Sequence, residues 1–278
     1  MIIIQIDGGL GNQMFQYALY VSYKHQGVSA KLDKGFYQSN HDFNGYELAT
    51  VFGVQAEYSG AIETKLIKAI SKLRSKLFKT PYKETEDMMC MYCEDVSGLT
   101  YGYIKGYWQS EKYFADCVDE VRKSFQFSVP TDENNIRAMQ EINASNSVSI
   151  HIRRGDYLEQ NRNWAIGPDY YNKAIAYMSQ KVDSPRFFVF SDDMQWVKDN
   201  INIPNATYIT WNKAENSFRD MQLMRSCKHN IIANSSFSWW GAWLNDNPDK
   251  IVITPDRWFP FFEGTRDIIP QQWIKIHF

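Results

Sequence analysis

The stretch Val148-Ser149-Ile150-His151-Ile152-Arg153-Arg154-Gly155-Asp156 passes from an apolar run of strand length directly into a cluster of charge. A short apolar run, a polar loop and then a helical pattern is the grammar of α/β proteins, and it recurs on both sides of this segment. Downstream, Phe187 to Phe190, Thr207 to Ile209, Asn230 to Ala233 and Ile251 to Thr254 read as strands. Helices fall between them at Asp169 to Gln180, Met194 to Asn200, Ser217 to Arg225 and Ser238 to Leu244. Upstream, Ile2 to Ile6 and Val28 to Leu32 read as strands around a helix that begins near Gln13. From Phe36 to Thr100 the pattern loosens, apart from a helix over Ala61 to Lys79, and Glu111 to Phe125 reads as helical. Pro130 to Glu133 supplies a turn and a helix start, which divides the chain into an N-terminal lobe over residues 1–130 and a C-terminal lobe over residues 131–278. In parallel sheets wound with helices, ligands bind beyond the carboxyl ends of the strands. The unusual polar residues of this chain lie at those ends.

Composition narrows the class. With 278 residues, 30 Lys plus Arg against 32 Asp plus Glu, and 44% hydrophobic residues, the chain reads as globular, and a nucleic-acid binder resting on bulk positive charge is excluded. The apolar run Met1 to Ile6 is too short for a signal or a membrane span, and no other stretch approaches roughly 18 apolar residues. Cys90 and Cys93 form a lone C-x-x-C, with Cys117 and Cys227 isolated, so no second pair completes a zinc site. Few, unpaired cysteines and no signal point to a cytoplasmic setting.

Four motifs carry chemistry. Gly8-Gly9-Leu10-Gly11-Asn12-Gln13 sits between a strand and a helix, where backbone N–H groups and the helix terminus favour an anion. As a dinucleotide fingerprint it is defective, because Met14 stands at the third glycine position. Asp33 lies at about the distance that would meet a ribose, which keeps a nicotinamide-dependent oxidoreductase open. In the second motif, Arg153 and Arg154 offer planar donors that match phosphate oxygens in pairs, with Gly155 permitting a sharp bend. Alternation along a strand sends His151 and Arg153 to one side and Arg154 to the other. One arginine is therefore expected on a ligand and the other in an internal pair, with Asp156 at hand. Third, Ser191-Asp192-Asp193 follows a strand; one aspartate is expected to cap the next helix, leaving the other free to accept the paired donors of guanine. Fourth, Asn234-Ser235-Ser236-Phe237-Ser238-Trp239-Trp240-Gly241-Ala242-Trp243 places hydroxyls at a helix start. The tryptophans have helical spacing, which favours a core role over stacking on a sugar.

The helix over Ala61 to Lys79 aligns Ile62, Leu66, Ile70, Leu73 and Leu77 on one stripe, among six basic residues and the single acid Glu63. Packing of that stripe on its own lobe is the favoured account, and a peripheral membrane contact is the alternative.

Together, GGLGNQ, HIRRGDY, FSDDMQW and ANSSFSWWGAWL resemble, in order, the α-1,2-fucosyltransferases of glycosyltransferase family 11, bacterial type. The match runs from Gly8 to Leu244. The resemblance implies a GT-B-like α/β fold of two facing lobes, with the donor held by the C-terminal lobe. It implies inverting, metal-independent transfer of L-fucose from GDP-fucose to the 2-hydroxyl of a galactoside, with no cofactor. Carried over residue by residue, Arg153 takes the diphosphate and Asp156 joins it as a catalytic candidate. The GDP-fucose-binding set is completed by His151, Arg154, Asp192 and Asp193 around the base and diphosphate, and by Ser235, Ser236 and Phe237 at phosphate and ribose. Gly11 and Asn12 close from the N-terminal lobe. The resemblance further implies a galactose-containing acceptor glycan of surface polysaccharide, with a lipid-linked form among the candidates, and no residue of the sequence itself specifies the acceptor. No residue stands out as the catalytic base. Another linkage, another GDP-sugar or a carbohydrate-binding protein are the remaining alternatives.

Overall fold

The computed structural model describes residues 1–40, 43–79, 82–85, 89–159, 164–259 and 266–277. It separates into two units, Met1–Ser128 and Val129–Phe278.

In the first unit, β1 (Ile2–Gln5) is buried along its whole length, as an apolar run flanked by parallel partners must be. It pairs in parallel with β2 (Ala30–Asp33) and β3 (Gly102–Ile104), giving the order β2-β1-β3. Helix α1 (Leu10–His25) starts three residues earlier than its apolar periodicity suggests, because Gly9 takes the extended N-cap conformation. Gly11 and Asn12 thus lie in its first turn. Helices α2 (Leu48–Phe52), α3 (Ala61–Phe78) and α4 (Glu94–Ser97) follow. The single helix read over Glu111 to Phe125 is instead a 3-10 segment, Glu111–Cys117, and then α5 (Val118–Ser124). The 3-10 segment is kinked at Phe114, φ −132°, and Cys117, at φ −133°, separates it from α5.

The packing of α3 overturns the expected account. Ile62, Leu66, Leu73 and Leu77 remain 59–85% exposed. The docked face is Ile67 and Ser71: Ile67 meets Ile3 and Tyr103, and the Ser71 hydroxyl accepts the Tyr103 N–H at 2.7 Å. Gly102, at φ +148°, lets the strand approach so closely that a Cβ there would lie 3.2 Å from Ser71 Oγ. A backbone hydrogen bond and a small-residue contact thus outcompete the leucine stripe for the sheet.

The second unit runs α6 (Glu133–Asn143), β4 (Asn146–Ile152), α7 (Gly155–Glu159), α8 (Pro168–Lys181), β5 (Pro185–Ser191) and α9 (Met194–Asn200). It continues through β6 (Ala206–Ile209), α10 (Phe218–Ser226), β7 (His229–Ile231), α11 (Ser236–Trp243), β8 (Val252–Pro255) and β9 (Ile274–Ile276). All of its named strand pairs are parallel, in the order β6-β5-β4-β7-β8-β9. Counted from β4, that is the doubly wound order 3-2-1-4-5-6, whose topological switch point lies between β4 and β7.

Alternation along the strands assigns the two layers. Val148, Ile150 and Ile152 pack with Tyr170, Tyr171 and Ala174 of α8 and Val197 of α9. On the opposite face Phe188 and Phe190 pack with Ala138 and Ile142 of α6 and Leu223 and Met224 of α10. Trp239, Trp240 and Trp243 are buried, at 0%, 0% and 5% exposure, which removes them from any sugar-stacking role. Helix α11 begins at Ser236 rather than Ser238, so Ser236 and Phe237 belong to its first turn.

Candidate functional site

The register of β4 against β5 explains the first contact of the site. Ile152 pairs with Ser191 as the last residues of the ladder, so the chains leave the sheet side by side with Arg153 next to Asp192. The Arg153 guanidinium holds Asp192 Oδ2 at 2.9 Å and Asp156 Oδ1, in the first turn of α7, also at 2.9 Å. The three side chains keep 36%, 25% and 43% of their surface in solvent. Exposed ion pairs of this kind contribute about 0–1 kcal/mol. The guanidinium is therefore held in shape and readily given up to a stronger anion.

Arg154 is different. Its Nε donates to Asp193 Oδ2 at 3.2 Å, its guanidinium lies 3.5 Å over the Trp196 ring, and its side chain is 13% exposed. Both arginines are thus paired internally, and Asp156 belongs to Arg153 rather than to its neighbour. The aspartates divide their work. Asp193 is the N-cap of α9, accepting the Trp196 N–H at 3.2 Å, while Asp192 accepts the Arg154 N–H at 2.9 Å in addition to its ion pair. Gly155 does not bend through positive φ. Its function is space, since a Cβ would sit 3.1 Å from Asp192 Oδ2.

His151, one residue before the strand ends, is 6% exposed with its Nδ1 buried and unpartnered. Burial and the adjacent Arg153 charge push its pKa down to about 4, against a smaller opposing pull from Asp192. The imidazole is therefore neutral near pH 7. It lies 5.9 Å from the Phe237 ring, which joins β4 to the first turn of α11 across the switch point. On the same side, Tyr157 of α7 donates its hydroxyl to Asn234 O at 3.0 Å. Asn234 in turn ties down Trp164 O and Trp258 O, both at 3.0 Å, while its own Oδ1 is buried without a partner. Ser235 is the N-cap residue of α11, yet its side chain makes no capping bond. Unpaired buried polar atoms are rare in native proteins and cost free energy unless a ligand or water completes them. Here two of them, His151 Nδ1 and Asn234 Oδ1, stand at the carboxyl ends of neighbouring strands.

The glycine loop of the first unit is a separate cluster. Gly8, at φ +76°, has no room for a Cβ, which would fall 2.8 Å from Asn12 Nδ2. Gln13 spans the loop, donating to Gly8 O and Gly45 O and accepting the Glu47 N–H. Gln16 grips Asp7 through its N–H and Oδ1 and reaches Gly106 O at 3.0 Å. Asn12 accepts from Gln109 Nε2 at 2.8 Å, and Gly11 is buried in the first turn. Asp33, the residue a ribose would need, accepts Gly35 N–H and Tyr103 O–H, so the nicotinamide reading loses its acid.

One carboxyl in this cluster has no sequence signal. Glu84 accepts the Tyr107 N–H at 2.8 Å through Oε2, and its Oε1 is buried without a partner. Burial raises its pKa to about 7, with nearby Asp7 adding to the rise and the Tyr107 and Trp108 amides opposing it. A carboxyl with that acidity suits proton transfer at neutral pH. It lies in the loosely patterned middle of the chain, and only packing against Gly106 and Trp108 distinguishes it from other acids.

A parallel sheet in this order, with an arginine, a neutral histidine and a helix start gathered at its switch point, defines a doubly wound α/β protein with its candidate ligand site at the carboxyl ends of the strands. Residues 1–277 match the glycosyl transferase family 11 model, and the chain belongs to that family of glycosyltransferases. It is 32% identical to an alpha-1,2-colitosyltransferase of Escherichia coli, with 99% of each chain covered. It is 31% identical to the O-antigen biosynthesis glycosyltransferase WbnK of Escherichia coli, covering 91% of this chain and 93% of that one. Galactoside alpha-(1,2)-fucosyltransferase 1 of Lagothrix lagotricha is 22% identical, over 98% of this chain and 73% of its own. Among solved structures, an Arabidopsis thaliana FUT1 mutant in complex with GDP aligns over 92% of this chain and 70% of its own, with TM-score 0.51 and 11% identity. At that identity it speaks to the fold, which is α/β and GT-B-like.

Proposed function

We propose that this glycosyltransferase moves L-fucose from GDP-fucose to the 2-hydroxyl of a galactose-containing acceptor, with inversion and without a metal or other cofactor. The observation that carries the reading is Arg153, held in two exchangeable ion pairs at the switch point beside a neutral, unpartnered histidine. As the bond to fucose breaks, negative charge grows on the departing diphosphate. Phosphate oxygens take Arg153 from Asp192 and Asp156, and the N–H groups at the start of α11 add fixed donors. Arg153 is the catalytic residue in this scheme, and Asp156 is a positioning residue that keeps the guanidinium extended. His151, uncharged, hydrogen-bonds the base through Nδ1, and Asp192, released by Arg153, accepts the paired N–H donors of guanine. Arg154 and Asp193 brace the loop. Ser235 and Ser236 meet phosphate or ribose, with Phe237 against the nucleoside. Glu84, on the unit expected to serve the acceptor, takes the proton of the attacking hydroxyl.

A second reading rests on the 32% identity to a colitosyltransferase over 99% of both chains. Colitose is fucose without its 3-hydroxyl, so the two donors differ by a single polar group. A site that hydrogen-bonds the 3-hydroxyl rejects the deoxy sugar by about 10⁴-fold or more, whereas an apolar contact there discriminates only about 10- to 100-fold. Incubation with GDP-fucose and GDP-colitose in parallel, on galactose-terminated glycans and with the new linkage located by NMR, tests both. Preference for GDP-fucose with a 1,2-linkage supports the first reading. Preference for GDP-colitose replaces it with the second.

A further inference from the structure

Half of the large hydrophobic residues exposed among the described residues belong to one helix. They are Ile62 at 85%, Leu66 at 60%, Leu73 at 59%, Leu77 at 64% and Phe78 at 73% exposure, all on α3. At about 100° per residue, Ile62, Leu66, Leu73 and Leu77 fall within an arc of roughly 60°. Ile67 and Ser71, the face docked on the sheet, point about 120° away. The apolar arc is therefore free while the helix is fully docked. Lys65, Lys72 and Lys76 border the arc and are exposed, and Lys79 follows at the C-terminus. The acid of the helix, Glu63, is neutralised by Lys31 at 2.8 Å.

We propose that α3 is a membrane-docking helix that lies in the interface of an anionic lipid surface, leucines down and lysines against the headgroups. An apolar face of this size is a liability in water unless something covers it. The charge decides what does. A second copy would bring one lysine-bordered face against another like it, whereas anionic headgroups complement the lysines at about 1 kcal/mol for each one near the surface. The helix is also built to lie on a bilayer and not to cross one: among the described residues no helix is long and apolar enough to span a membrane. Insertion of a basic amphipathic helix to the headgroup boundary needs only this geometry. The inference is independent of which sugar is transferred.

The test is co-sedimentation of the full chain with vesicles of phosphatidylcholine containing about one-third phosphatidylglycerol, compared with pure phosphatidylcholine. The variant is Leu66→Gln/Leu73→Gln, whose side chains are already in water, so that circular dichroism and transfer to a soluble acceptor remain as in the parent. The expected result is binding to the anionic vesicles, weakened about tenfold or more in the variant and in high salt. Equal binding of parent and variant, or no preference for anionic vesicles, overturns the proposal. A dimer in sedimentation equilibrium that the double substitution dissolves also overturns it, in favour of a second copy.

Discussion

The two loops that leave the first strands of their units, Gly8 to Gln13 after β1 and Arg153 to Asp156 after β4, share a strand-to-helix geometry and differ in how their polar groups are satisfied. The glycine loop is closed by neutral, buried side chains: Gln13 and Gln16 bind backbone carbonyls and Asp7 at 2.8–3.1 Å. The arginine loop is held by half-exposed ion pairs, next to a histidine nitrogen with no partner. Buried neutral hydrogen bonds are costly to leave unmade, so they fix a loop. Exposed ion pairs are nearly neutral in free energy, so they can be exchanged for a ligand. The first loop is a rigid part of its unit, and the second is poised to change partners.

The contrast predicts opposite consequences for substitution, and the largest should fall on the arginine loop. Arg153→Ala should lower kcat by roughly 10³, with a melting temperature within about 2 °C of the parent, since the lost pairs were solvent-exposed. Near-normal turnover would show that Arg153 does not bear the leaving charge, and a collapse in stability would show the loop to be structural. Next comes the carboxyl of the glycine cluster. Glu84→Gln should cost about 10² in kcat. Glu84 must be ionised to accept a proton, so the parent rate should fall as pH drops through about 7, and that acid limb should vanish in the variant. A limb that survives removes Glu84 from proton transfer. Gln16→Ala should do the reverse of Arg153→Ala: denaturant unfolding should show a loss of about 1–3 kcal/mol, as Asp7 and Gly106 lose buried partners. Gly155→Ala should be milder, raising the KM for the donor a few-fold by displacing Asp192, seen as weaker GDP binding in titration calorimetry. The smallest effect expected is none: transfer should persist in excess EDTA, and rescue of a lost rate by Mn²⁺ would overturn the metal-free scheme.

Much of the second unit is legible from local pattern. The strand read at Val148 to Ile152 extends only to Asn146, and Met194 to Asn200 forms a helix with the expected bounds, because buried strands and amphipathic helices announce themselves by hydrophobic period. Strands β3 and β9 consist only of Gly-Tyr-Ile and Ile-Lys-Ile, too few apolar residues in a row to register, whereas the equally short β7 sits in the longer run Asn230 to Ala233. The leucines of α3 mislead for a related reason. Periodicity says that an apolar face exists and is silent on whether the sheet accepts it, and Ser71 and Gly102 settled that contest. The division of the two aspartates is equally local in outcome and nonlocal in cause, since the cap falls to Asp193 once Asp192 is drawn to Arg153.

The amino-acid order by itself determined the α/β class, the strand-end placement of HIRRGD, SDD and ANSSF, and the likeness to family 11, because each depends on neighbours within a few residues. Only the folded chain decided that these three segments meet at one switch point, that both arginines have internal partners, that His151 is neutral, and that Glu84 is an acid of pKa about 7. Those properties arise from strand register, burial and charges brought together across tens of residues, and they come into being only when the backbone closes around them.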